Sequence, residues 1–284
     1  MGEKNLTIIG HLEELRKVLL VSIFALIPTS VAGWLLKDYT LRLLLQPLKA
    51  IDPNFKLQVL GPADKIFVDI KMAIFIGVIL ALPVIMWQIW SYILPALKQT
   101  ERRLMGILVP TTVMLFVGGI IFAYFTVFRL GVQFFFGYVS SAGDTVVAAY
   151  ALNEYIGFAL SFLLPFGLVF ELPIVVLVLT RFGLVTPKFL GAKRKYAILI
   201  IFVIAAFLTP GPDIVSQLMM AAPMYILYEV SILLSYLVVR KKKAALAALE
   251  EEAIQMDTVE TIEHSSNHSA EELVKEFSNE PDER

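Results

Sequence analysis

The sequence predicts an all-α membrane protein with six transmembrane helices. Three observations carry that prediction. Hydrophobic residues fill 58% of the 284 positions and charged residues only 17%, with a mean hydropathy of +0.75, whereas about a quarter of a soluble domain is charged. Several uncharged runs approach or reach the roughly 20 residues that a helix needs to cross a bilayer. Basic residues gather in alternate connections, as positive-inside topology requires.

The elements follow in order. Residues 1–17 form a polar N-terminal segment that ends in HLEELRK at 11–17. The uncharged stretch 18–36 is the first span. A charged outer loop of about thirty residues leads to the second span, 72–97. A tight inner turn, ALKQTERRL at 96–104, leads to the third, 104–128. The fourth span, 153–180, carries through Glu171, and the sixth, 214–239, through Glu229. Between them lies the short fifth span, 196–212, closed by TPGP at 209–212. About 14 helical residues precede that break and cover only about 21 Å, less than the roughly 30 Å of a full hydrocarbon core. The six spans make one membrane domain, 18–239.

Beyond it, 240–284 opens with the basic run RKKK and becomes acidic. Residues 1–243 hold 22 Lys and Arg against 13 Asp and Glu, and 244–284 hold 2 against 12. That tail is expected to be disordered and solvated, beginning at most as a short helix in AALAALEEEAIQM.

Orientation comes from the short loops. With both termini cytoplasmic, the inner segments carry fifteen basic residues and the outer segments seven. Prolines 28, 83, 95, 110, 165, 173 and 223 stand within or beside the spans. Each frees a carbonyl and bends its helix, so a curved wall is expected instead of a straight bundle. The N-terminus shows neither a cleavable signal nor a transit sequence, so the first span is expected to direct insertion.

With no cysteine in the chain, disulfide and thiolate chemistry is excluded. His11, His264 and His268 are scattered outside the spans, so no metal site is indicated. Walker, HExxH and GxSxG motifs are missing, which points away from an enzyme and a cofactor. The basic residues lack the aromatic interleaving of a nucleic-acid binder.

The candidate residues are mostly acids in unusual places. In HLEELRK, Glu13 faces Lys17 at i,i+4. Glu14 has Val18 at i+4 and only His11 at i−3, so its own helix neutralises it less. Glu101 stands against Arg102 and Arg103 in the inner turn. Glu171, in FELP, sits at membrane depth, where an ionisable group is costly and marks a wet cavity or a partner. Glu229 is a similar group in the sixth span. Asp213 precedes that span as a helix cap. Thr209, Ser216 and Gln217 are polar groups able to bond a neighbouring helix.

These motifs together resemble the TatC family, the multi-spanning receptor subunits of the twin-arginine protein translocase. The resemblance rests on HLEELRK, LQPLK at 45–49, ALPVIMWQIWSYILPALKQTERRL at 81–104, FAYF at 122–125, FELP at 170–173, LTPGPDIVSQ at 208–217 and PMYILYE at 223–229. It covers about 8–240 and leaves the tail outside. It implies a cupped fold and binding of twin-arginine signal peptides on folded cargo. The signal-peptide surface would consist of Glu14, Glu101, Arg16, Tyr92, Leu97 and Arg103. Phenylalanine is frequent in the family where Tyr92 stands here. Glu171 would line the intramembrane cavity. Thr209 and Gln217 would receive single-span TatA- and TatB-type subunits. Pro47 and Asp213 would serve assembly or shape. TPGPD has one residue more than the usual TPPD. The resemblance also implies a homo-oligomer within a larger complex of the inner cell membrane, driven by the proton-motive force. Two arginines need two carboxylates, because the planar guanidinium pairs with a carboxylate through two bonds. A second reading is a proton-coupled solute transporter that uses Glu171 and Glu229. Inverted halves would support it, and no such repeat is evident in the sequence.

Overall fold

The computed structural model describes residues 8–53, 56–93, 102–140, 150–209 and 214–278. Its order is α1 (Ile8–Ile51), α2 (Asp64–Ile93), α3 (Arg102–Phe122), a π-helical segment (Ala123–Phe128), α4 (Arg129–Ser140), α5 (Leu152–Val169), α6 (Leu172–Arg181), α7 (Pro187–Ala192), α8 (Arg194–Leu208) and α9 (Ile214–Ser278). No strand is present among the described residues; Gln58 and Ala151 form an isolated bridge. In that bridge the Gln58 N–H donates to the Tyr150 carbonyl at 2.9 Å, and the Leu152 N–H donates to the Gln58 carbonyl at 2.8 Å. It ties the α1–α2 connection to the start of α5.

Five helical stretches are long and apolar enough to cross a membrane: Leu12–Ile51, Asp64–Ile93, Met105–Phe136, Leu152–Arg181 and Ile214–Ala245. They cover all or most of five of the six expected spans, the end of the second, 94–97, lying outside the described residues. The expected fifth span falls on α8, which has 15 residues and a length of about 22 Å.

Two stretches correct the sequence expectations. The first 15 residues of the expected outer loop, 37–51, are helix, and α1 reaches 44 residues, about 66 Å. Lys37, Asp38, Arg42 and Lys49 interrupt the hydropathy here, but Leu41, Leu44, Leu45 and Leu48 keep the helical period. Leu44 and Leu48 are almost fully buried by this packing. The tail also departs from the expected disorder, because α9 runs as helix through Ser278. Ala, Leu, Glu, Met and Gln dominate residues 244–256, and all are strong helix formers.

α1 and α2 pack through small residues. A Cβ on Gly33 would lie 2.4 Å from the Ala73 carbonyl oxygen, and one on Gly77 would lie 2.4 Å from Ser30 Oγ. Only glycine permits this approach, which is how membrane helices bring their backbones together. α3 meets α5 in the same way: a Cβ on Gly119 would lie 2.7 Å from the Phe166 carbonyl. A large core of Phe128, Phe162, Phe166, Met72 and Met220 joins α2, the π segment, α5 and α9. A smaller one around Leu82, Trp90, Phe116 and Val178 joins α2, α3 and α6.

The fourth span breaks at Phe170–Glu171, between α5 and α6, two residues before Pro173, which supplies no N–H. Gly183, at φ 76°, turns the chain after α6. The Phe189 N–H donates to Thr186 Oγ1 at 3.2 Å, capping α7.

Candidate functional site

The register of α1 on α2 sets the first site. Ser30 meets Gly77 and Gly33 meets Ala73, so the helices run antiparallel. Counting outward from these crossings, Glu14 falls level with Tyr92 and Ile93 at one end of the pair. Glu14 and Arg16 are exposed there, and Tyr92 is half-buried. The chain leaves α2 at Ile93 and starts α3 at Arg102. Leu97 and Glu101, on that connection, lie outside the described residues, as does the side chain of Arg103. α3 packs on α2 through Leu108, Phe116, Leu82 and Trp90.

The second site is the break in the fourth span. Glu171 is 6% exposed, and neither carboxylate oxygen has a hydrogen-bond partner among the described residues. The adjoining Phe170 packs on Phe122, with ring centroids 5.4 Å apart. An unpartnered buried carboxyl costs several kcal/mol when charged, so it is rarely kept without use. Trp90 Nε1, in the neighbouring core, is also buried without a partner among the described residues. A cavity of about 540 Å³ lies elsewhere, among Lys71, Phe136, Tyr150, Asn153, Phe158 and Ser216, and does not include Glu171.

At the third site, Thr209 is buried and its hydroxyl donates to the Ala205 carbonyl at 3.0 Å. Gln217 Nε2 donates to the Phe202 carbonyl at 3.0 Å. Both groups thus bond within the α8–α9 hairpin. Asp213, between these helices, lies outside the described residues. Pro47 is buried inside α1.

Other groups were hidden from sequence reasoning. Glu229, a candidate carrier, is held by Arg194: Nε donates to Oε1 at 2.7 Å and Nη2 to Oε2 at 2.9 Å. The Tyr225 hydroxyl adds a bond of 2.8 Å to Oε1. Asp69, 9% exposed, accepts from Lys37 at 2.7 Å and also from Lys65. Lys37 lies 3.8 Å above the Trp34 ring. Partners 32 and 35 residues apart leave no local sequence signal.

The fold and these sites define a class: a helical, multi-spanning membrane protein with an acid-bearing helix end and a carboxyl buried in a broken span. The sequence model for "Sec-independent protein translocase protein (TatC)" matches residues 10–223. The Carboxydothermus hydrogenoformans Sec-independent protein translocase protein TatC is 45% identical over 235 residues, which is 83% of this chain and 95% of that protein. Bacillus subtilis TatCy is 35% identical over 248 residues, 87% of this chain and 96% of its own. A crystal structure of the twin arginine translocase receptor TatC superposes with a TM-score of 0.73 at 37% identity, covering 81% of this chain and 99% of that one. The chain belongs to the TatC family, the membrane component of the Sec-independent, twin-arginine protein translocase.

Proposed function

We propose that the chain is the signal-peptide receptor of its translocase. One observation carries the reading. Glu14 is level with the end of α2, where the chain leaves for Leu97 and Glu101. A peptide bearing two arginines would pair one guanidinium with Glu14 and the other with Glu101. Tyr92 and Leu97 would support the apolar residues beside the pair. Arg16 and Arg103 would repel stray cations, giving selectivity by local repulsion. Each charge-assisted pair contributes roughly 1.5–3 kcal/mol net. Two of them give about 10²-fold or more in affinity.

The rest of the reading places six spans in the inner cell membrane with both termini cytoplasmic. α8 would be the short fifth span, crossing where the bilayer thins or its neighbours relieve the mismatch. Glu171 would serve the apolar part of the signal within the membrane. TatA- and TatB-type subunits would dock near Thr209 and Gln217. Copies of the chain would assemble in a larger complex that moves folded cargo on the proton-motive force. Pro47 and Asp213 would shape the outer surface, and 240–284 would form a separate cytoplasmic extension.

The solute-transporter reading is weaker, because Arg194 and Tyr225 hold Glu229. The test is capture by an immobilised twin-arginine signal peptide. Wild type is retained, and Glu14→Ala and Glu101→Ala each lose at least tenfold. Equal capture of all three removes the receptor reading.

A further inference from the structure

Pro47 lies within α1, so it cannot donate to the carbonyl four residues back, that of Leu43. A carbonyl left open inside a packed molecule needs another donor. The Tyr124 hydroxyl supplies it, donating to Leu43 O at 2.8 Å. Gln46 Oε1 stands 3.4 Å from the same hydroxyl, a longer and weaker contact. The next carbonyl, Leu44 O, accepts from the Tyr155 hydroxyl at 2.7 Å. Two hydroxyls, from two elements distant in sequence, thus grip successive carbonyls of one helix turn.

The surroundings fix that grip. Phe128 lies between the tyrosines, with ring centroids 6.1 Å from Tyr124 and 6.0 Å from Tyr155. Tyr124 is 9% exposed and Tyr155 5%, while Phe128 is fully buried. Tyr124 belongs to the π-helical segment, whose buried face is Ala123, Tyr124, Val127 and Phe128. A π turn inserts one residue into the helical phase and recurs at functional positions. Tyr124 and Phe128, four residues apart, share its inward face, with Tyr124 against α1.

We propose that Pro47, Tyr124 and Tyr155 form one positioning unit, in which Tyr124 replaces the hydrogen bond that Pro47 removes. The unit sets the direction in which the last two turns of α1 pack on the bundle, and transport depends on that direction. It stands apart from where signal peptides bind. Tyr124 and Tyr155 are positioning residues, since they act through α1.

The test is a mutant cycle on the full chain, with spin labels on the exposed positions Lys49 and Gln133. Tyr124→Phe should broaden the Lys49–Gln133 distance distribution, lower the folded-to-unfolded ratio about tenfold and slow cargo export. Pro47→Ala gives Leu43 O a backbone donor. In that background Tyr124→Phe should cost no more than about twofold. An equal loss in both backgrounds would mean that the hydroxyl does not answer to the proline, and would overturn the proposal. Should Pro47→Ala fail to fold, Pro47→Ser restores the same N–H. Tyr155→Phe then adds an independent arm. Unchanged distance distributions in both phenylalanine variants would also overturn it.

Discussion

Gly33→Ala tests the helix pair that sets the level of Glu14. The added carbon would lie 2.4 Å from the Ala73 carbonyl oxygen and 3.1 Å from the Gly77 nitrogen. Carbon and oxygen settle at about 3.3 Å or more, so the helices must part by roughly 1 Å. Both obstacles are backbone and cannot swing aside. Overpacking of this kind costs about 1–3 kcal/mol, roughly 5- to 150-fold in the folded-to-unfolded ratio. Alanine also offsets about 1 kcal/mol through better helix propensity, and a control removes that contribution. A Cβ on Gly118, also in a helix, would meet nothing within 4 Å. The prediction is therefore the gap between the two variants: Gly118→Ala matches or exceeds wild type, and Gly33→Ala falls about 1–3 kcal/mol below Gly118→Ala. Chemical denaturation in detergent measures the gap. Spin labels on Glu13 and Ser91 report whether the helices part at the Glu14 end. Equal shifts in both variants, with an unchanged label distance, would refute the close packing and the register drawn from it.

Three further outcomes are expected. Glu171→Leu removes a buried carboxyl with no partner among the described residues, so the denaturation midpoint should rise; a fall would reveal a partner for the carboxyl. Arg194→Lys loses the two-bonded fork on Glu229. The loss should lower the denaturation midpoint, as parallel melts of the two proteins would show. Ending the chain at Lys243 leaves the described core intact, since every core residue among the described ones precedes it. Signal-peptide capture by the truncated chain should equal that of the full chain.

The sequence and the structure agree where the physics is local. Uncharged runs marked the cores of the five long spans, because hydropathy is a property of a segment. The shortness of α8 was visible for the same reason. The helical end of α1 was missed because Lys37, Asp38, Arg42 and Lys49 mask a leucine stripe that is buried only when it packs into the core. The helical start of the tail was legible in AALAALEEEAIQM, and the helix beyond it was missed because the charge there suggested solvation. Glu229 looked like a candidate carrier because its partner Arg194 is 35 residues away. Pro47 became informative only once 37–51 proved helical: the Leu43 carbonyl it leaves open needs a donor, and Tyr124 of FAYF supplies it.

The central claim is that Glu14 and Glu101 together recognise a pair of arginines. The direct measurement is the affinity ratio between an Arg-Arg peptide and its Lys-Lys counterpart. It is taken on wild type and on the Glu14→Gln/Glu101→Gln double variant. Wild type should prefer Arg-Arg, since lysine keeps the charge and loses the fork, and the double variant should show no preference. A preference of the same size in both proteins would contradict the account.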